Sequence, residues 1–311
     1  MDIANFFSAT VVIGILTAGV RLASPYIFAA IGEMFGQRSG VLNLGVEGQM
    51  LMGAFAAFYF TLQTGNPWVG LLAAMIVGGF MGLAMAIVSV KWRAVQGISG
   101  IGFYIIGMGL SELLFKTTLG EVKIINTGFN AVKIPFLSDI PVLGQIFFQQ
   151  NVMTYIAFLL VPLAWFVLYK TTLGLKIQAV GENPHAADTL GVSVIKIRFL
   201  TVTMGGVMSG VAGAALSTAN LNVFQENMTA GMGFIAVALV YFGGWRPFGV
   251  MAGALLFSMV MALQLFMQVY NVPIPSEFAI MLPYILTIVV LVLTVGRVRA
   301  PSALTKPFIR E

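Results

Sequence analysis

Long apolar runs separated by short polar interruptions set the rhythm of this chain. The runs fall at residues 3–20, 51–62, 68–90, 100–115, 152–169, 199–217, 255–269 and 278–295, most of them approaching the roughly 20 residues that a helix needs to cross a bilayer. The alternation that would mark a barrel is absent, and lipid obliges each span to satisfy its own backbone polar groups. The pattern therefore predicts an all-α polytopic membrane protein with about eight to ten transmembrane helices. Two apolar pieces, 23–35 and 230–242, are too short to span alone. They fall in opposite halves, each beside a Gly-rich polar stretch, which predicts short or broken helices in both halves around a central path. Residues 3–20 and 23–35, parted by Arg21, read either as one long broken helix or as a span plus a re-entrant piece.

Two polar interruptions are longer than turns require. The first, at 36–53, is GQRSGVLNLGVEGQMLMG. Asn43 and Glu47 are four apart and would share one face of a helix, while Gly40, Gly45, Gly48 and Gly53 strip side chains from the neighbouring surface. An ionisable residue entering a membrane marks a functional site by default, so Asn43 and Glu47 are candidates to line a path for solute. Alternatively, Glu47 sits at a helix start, bonded to nearby backbone donors and holding the turn at 36–41. The second interruption, 179–193, reads as a short capped helix. Asn183 suits the N-cap, Pro184 the first helical position and Gly191 the C′ position, with Asp188 inside the helix. A third polar segment, 218–229, contains Asn220 and Asn222 and either lies outside the membrane or lines a cavity. Gly205, Gly206, Gly210 and Gly213 form a close-packing face on the span before it. The connection 116–151 is too long for a turn and is expected to be an outer loop carrying a short helix.

Composition sharpens this picture. Hydrophobic residues make up 59% of the 311 residues and charged residues only 9%, against about 25% in soluble domains. The net charge of +5 does not indicate nucleic acid, because the basic residues sit singly at span ends. Placing Arg38, Lys91, Arg93, Lys170, Lys176, Lys196, Arg198, Arg246, Arg297, Arg299, Lys306 and Arg310 on one side leaves only Lys116, Lys123 and Lys133 clearly on the other. That bias makes 170–198 a cytoplasmic loop and the C-terminus cytoplasmic. The N-terminal run lacks a basic n-region and reads as a retained span, not a signal peptide. The chain has no Cys and one His, so no disulfide, thiol nucleophile or multi-His metal site is expected, and no catalytic residues are assigned.

On three stretches the chain resembles the permease subunits of ABC importers, in the branch that serves branched-chain amino acids, ribose and other simple sugars, and nucleosides. They are RSGVLNLGVEGQMLMGA at 38–54, GENPHAADTLGVSV at 181–194 and RAPSALTKPFIRE at 299–311, supported by IPFLSDIPVLG at 134–144. Within that branch it is most similar to the smaller of the two nucleoside permeases. The resemblance implies one transmembrane domain over 1–311, with helices around a translocation path, in a bacterial inner membrane. It also implies a second permease subunit of similar kind, a cytoplasmic ATPase pair and an extracytoplasmic substrate-binding protein. Gly181, Glu182, Asn183, Pro184, Ala186, Ala187 and Gly191 match the family's coupling segment, with His185 and Asp188 inside it. The ATPase would grip that segment, and the alanines would give it a slim face for a partner's groove.

No GxxxxGK[ST] phosphate loop occurs in the sequence, so the chain is not expected to bind ATP in that way or to be an enzyme, and ATP would act through the partner. The reading is an import permease for nucleosides or a related simple sugar, with lipid around it and no cofactor, metal or nucleic acid of its own. An ion-coupled secondary transporter is the alternative. It would need ionisable residues at mid-membrane, where only Glu33, Glu47 and Glu112 are candidates. A membrane enzyme would need a His, Cys or carboxylate cluster that the sequence lacks.

Overall fold

The computed structural model describes residues 8–125, 127–270, 275–294 and 299–310. Residues 1–7, which open the first apolar run, lie outside the described residues, as do Arg297 of the charge count and Glu311 of the tail motif. Helices dominate, in the order α1 (Ala9–Arg38), α2 (Val46–Thr64), α3 (Pro67–Ala86) and α4 (Gln96–Leu114). After a segment containing β1 (Ala131–Lys133), α5 (Leu143–Phe147) and β2 (Gln149–Asn151) come α6 (Val152–Lys170), α7 (Thr172–Glu182) and α8 (Pro184–Thr189). The chain closes with α9 (Val194–Ala214), α10 (Met232–Phe242), α11 (Pro247–Val269) and α12 (Ser276–Thr294). Short π-helical turns extend α3 to Lys91, α4 to Leu119 and α9 to Asn220. Among the described residues six helices are long and apolar enough to cross a membrane. The nineteen-residue α2 and α12 and the short α10 complete the bundle. The fold is that of an all-α polytopic membrane protein.

The first two apolar pieces form one continuous helix, α1, which passes through Arg21 and Pro25. Proline at 25 cannot donate to the carbonyl of Arg21, and the Ser24 hydroxyl takes that acceptor at 2.9 Å. A hydroxyl beside a proline thus repairs the gap that would otherwise break a helix in lipid. From Ala23 to Gln37 every residue of α1 is buried, so α1 is the central post of the bundle.

Glycines set the closest approach in the bundle. A Cβ on Gly206 would land on the backbone of Gly78 and Gly82 in α3, and one on Gly210 would land on Ala74. Gly213 faces the Met50 carbonyl of α2 in the same way, while Gly205 lies against Gly32 of α1 with slightly more room. The face expected on this span therefore packs α9 against α1, α2 and α3, backbone to backbone, as small residues allow.

At the end of the bundle away from Arg38, β1 and β2 pair antiparallel, Ala131 opposite Asn151 and Lys133 opposite Gln149. The expected short helix of that segment is α5, while Phe115–Leu119 still belongs to the helical turn after α4. Backbone bonds from Ile125 to Asn222 (3.0 Å) and from Phe129 to Thr218 (2.8 Å) tie this segment to the end of α9.

Candidate functional site

The candidate residues fall into three groups, which lie at successive levels of the bundle. At the basic end, α8 forms as its residues dictate. The Asn183 side chain accepts from Ala186 N at 3.1 Å, and Pro184 opens the helix. At the other end Gly191 adopts φ +82°, where Val192 N bonds Ala187 O and Gly191 N bonds Asp188 O, each at 2.9 Å. That is a Schellman closure, which needs the left-handed conformation that glycine supplies. Asn183 also ends α7, a helix the sequence reading did not anticipate, because glycines at 174 and 181 mask its pattern.

The side chains of α8 divide between two faces. Ala187 is 3% exposed and packs into this chain's own core, so its small size serves the internal fold and not a partner's groove. Ala186, His185 and Thr189 face outward, joined by Leu190, whose 84% exposure leaves a large apolar side chain uncovered. Gly181 is also internal: a Cβ there would land on the carbonyl of Arg38, at the foot of α1.

The C-terminal segment clasps this unit. Ala303 N donates to Gly181 O (2.9 Å) and the Ser302 hydroxyl to Glu182 (3.0 Å). Arg310 pairs with Asp188 at 2.9 Å, and the Phe308 ring packs on His185 with centroids 5.2 Å apart. The same segment reaches the loop that follows α1. Thr305 N donates to Gly40 O (3.1 Å), while the buried Arg198 donates to both Ser39 O (3.1 Å) and Lys306 O (2.9 Å). Tail, α8 and the loop at 39–45 are thus one bonded assembly.

The second level is that loop itself. Asn43 lies outside α2, so Asn43 and Glu47 do not share a helix face. Glu33 of α1 braces the loop instead, accepting from Asn43 N and from the Gln37 side chain, each at 3.0 Å. Trp245 Nε1 donates to Gln37 (2.8 Å), and Asn43 in turn accepts from Gly45 N (2.9 Å) and donates to Gln49 (3.1 Å). Glu47 is also buried, but its partners come from the other half of the chain. Its carboxylate accepts from the Thr229 hydroxyl (2.6 Å), Gly231 N (2.7 Å) and Gly233 N (2.5 Å). It therefore caps the N-terminus of α10 from across the bundle, where orphan amides and the helix dipole favour negative charge. Since α10 has eleven residues, this cap lies about 16 Å along the helix axis from its Gly243 end.

The third level is the far end, where Asn151 holds Asn220 and the Ala219 carbonyl at 3.2 and 3.1 Å. Asn220 Nδ2 and Asn222 Oδ1 are buried without hydrogen-bond partners, as is Gln49 Nε2 beside Asn43. The four asparagine and glutamate candidates thus do not converge on one point. Asn220 and Asn222 belong to the far end of the bundle, Asn43 and Glu47 to its interior. Glu112 pairs with the exposed Lys116 at the end of α4 and is not a mid-membrane group. Among the described residues no group of three or more His, Cys, Asp or Glu could hold a metal ion.

Sequence comparison shows the family of the chain. The model of the family described as "Branched-chain amino acid transport system / permease component" matches residues 15–291. The chain is 38% identical to the guanosine ABC transporter permease protein NupQ of Bacillus subtilis, over 100% of this chain and 99% of that protein. It is likewise 38% identical to the putative glucose ABC transporter permease protein TsgC13 of Haloferax volcanii, over 96% of this chain and 98% of the relative. The nucleoside ABC transporter permease protein NupC of Lactococcus lactis is also 38% identical, over 90% and 92%. No solved structure matches. With a family match that covers most of its length and relatives aligned end to end, the chain belongs to the branched-chain amino acid transport system / permease component family and is a transmembrane permease subunit.

Proposed function

We propose that this permease subunit imports nucleosides, delivered by an extracytoplasmic binding protein and driven by a cytoplasmic ATPase, across a bacterial inner membrane. The observation that carries the coupling is the bonded assembly of tail, α8 and the loop at 39–45. A push on the exposed face of α8, at His185, Ala186 and Leu190, has a continuous hydrogen-bonded route to Asn43. Glu182, Asn183, Pro184, Asp188 and Gly191 shape that face, and Gly181 and Ala187 seat it on the chain's own core. The excess of Lys and Arg at this end supports a cytoplasmic placement of α8 and the C-terminus. ATP hydrolysis belongs to the partner in this reading, since the chain has no phosphate-loop motif.

The names of NupQ and NupC support nucleoside as the substrate class. Along the path, the unpartnered amide atoms of Asn220, Asn222 and Gln49 are the groups free to meet a polar solute. Asn43 and Glu47 hold the walls between them. On α4, Gly97, Gly102 and Gly109 face open space beside exposed Ile98, Ile105 and Ile106, which suits a second permease subunit packed there.

Uptake of labelled guanosine, other nucleosides and glucose by cells carrying the whole transporter tests both parts. Nucleoside uptake that is lost in Ala186→Arg, with the protein still in the membrane, is the expected result. Glucose uptake alone would overturn the substrate, and unchanged uptake in Ala186→Arg would overturn the coupling role of α8.

A further inference from the structure

A cavity of about 800 Å³ opens at the basic end, between the last turn of α6 and the first turn of α11. Its walls include Arg38, Arg246, Trp165, Tyr169 and Phe248. None of the transport steps above uses it. Three independent features make it electropositive. Arg38 is held in place through Nε on the Trp245 carbonyl (2.9 Å), with Nη2 3.5 Å from the Tyr169 hydroxyl. Arg246 is exposed, and the ion pairs among the described residues are Lys116 with Glu112 and Glu226 and Arg310 with Asp188, so neither arginine has a carboxylate partner there. The N-terminus of the 23-residue α11 also opens on the cavity, begins with Pro247 and has no side-chain cap. Orphan amides at an uncapped helix start attract anions, and two guanidinium groups without carboxylate partners beside them bind the oxygens of a phosphate well.

The surroundings specify what carries the anion. Trp165 and Tyr169 occupy the last two turns of a membrane span, the depth at which amphipathic rings sit among lipid headgroups. Lys170 lies over the Trp165 ring at 5.6 Å and adds a third cation beside the cavity. On the adjoining face of α6, Leu159, Leu163 and Phe166 are exposed and offer an apolar track along the same helix. A basic, aromatic-walled cavity beside such a track matches a phosphate headgroup whose acyl chains run along the helix. We propose that this cavity binds the phosphate headgroup of an anionic phospholipid, with Arg246 and Arg38 as its ligands. Because Arg38 and Trp245 also touch the network through Gln37 and Glu33, an occupied site holds the foot of α1 in place.

The test uses the purified full-length chain, stripped of lipid in neutral detergent and titrated with phosphatidylglycerol, phosphatidylcholine or inorganic phosphate. Bound lipid is counted by native mass spectrometry, and melting is followed in parallel. Binding and a raised Tm with phosphatidylglycerol alone are expected, with Arg246→Ala lowering the apparent affinity about fivefold and Lys91→Ala, at the same end, leaving it unchanged. Arg246 makes no side-chain bond among the described residues, so its loss leaves the Tm without lipid unaltered. Equal binding of phosphatidylcholine, or full binding by Arg246→Ala, overturns the proposal. An equal response to inorganic phosphate replaces the lipid by a small-anion site. Loss of phosphatidylglycerol from the assembled transporter would make the cavity a protein contact and also overturn it.

Discussion

Glu47 illustrates how one buried carboxylate can look like a substrate ligand and serve as a cap. Three donors converge on it from Thr229, Gly231 and Gly233, leaving little capacity for a solute. Each buried donor left unsatisfied costs about 1–3 kcal/mol, so Glu47→Ala is expected to lower stability by at least about 2 kcal/mol. Glu47→Gln, which keeps one acceptor oxygen, should fall between. Thermal unfolding in detergent measures both, and a changed substrate affinity at unaltered stability would return Glu47 to the path. Ala186 and Ala187 make a second residue-scale test. Arginine at 187 would bury a charge in the core and is expected to unfold or deplete the protein, whereas Ala186→Arg should melt like the wild type. Equal melting of the two variants would refute the division of α8 into an inner and an outer face.

At the scale of elements, the seam between α3 and α9 is set by backbone contact. A methyl on Gly206 has no flexible side chain to displace, because the atoms it meets are the Gly78 carbonyl and the Gly82 Cα. Gly206→Ala is therefore expected to cost about 1–3 kcal/mol, despite alanine being the better helix former. Gly102→Ala, on the open face of α4, should stay within about 0.5 kcal/mol of the wild type. Comparing the two melting temperatures separates crowding from helix propensity. Through its π-helical extension α9 runs from Arg198 near its foot to Asn220 at its far end, so one helix spans the distance between those two levels.

Across the whole molecule, the C-terminal segment joins what the chain order separates. It bonds α7, α8, the foot of α9 and the loop after α1, so the unit proposed for coupling is closed by residues more than 100 positions downstream of α8. Removing residues 299–311 cuts those bonds and the Phe308 contact with His185 but leaves Ala186, Thr189 and Leu190 facing outward. In proteoliposomes of the complete transporter, the expected outcome is ATP hydrolysis that continues while nucleoside uptake per ATP falls severalfold. A parallel loss of hydrolysis and uptake would make the tail a plain folding element. Unchanged uptake per ATP would show that the push travels by another route.

The apolar runs by themselves determined the all-helical membrane class, because about 20 apolar residues in lipid admit few other structures. Local chemistry likewise settled α8: Asn183, Pro184 and Gly191 act on amides and carbonyls within four residues, so their roles can be read without knowing any distant partner. The motifs at 38–54 and 181–194 stood out for a similar reason, as polar stretches that a simple anchor does not need. What surrounds those levels was decided only by tertiary structure. Ser24 repairs the helix at Pro25, Glu33 braces the loop after α1, and Glu47 caps a helix almost 190 residues away. Ala186 and Ala187 are neighbours in sequence, yet a step of about 100° around the helix puts one outside and one in the core. Sequence spacing gives the period of a helix and the chemistry of its ends. Which face is covered, and which distant donor reaches a buried carboxylate, depends on the other helices that pack around it.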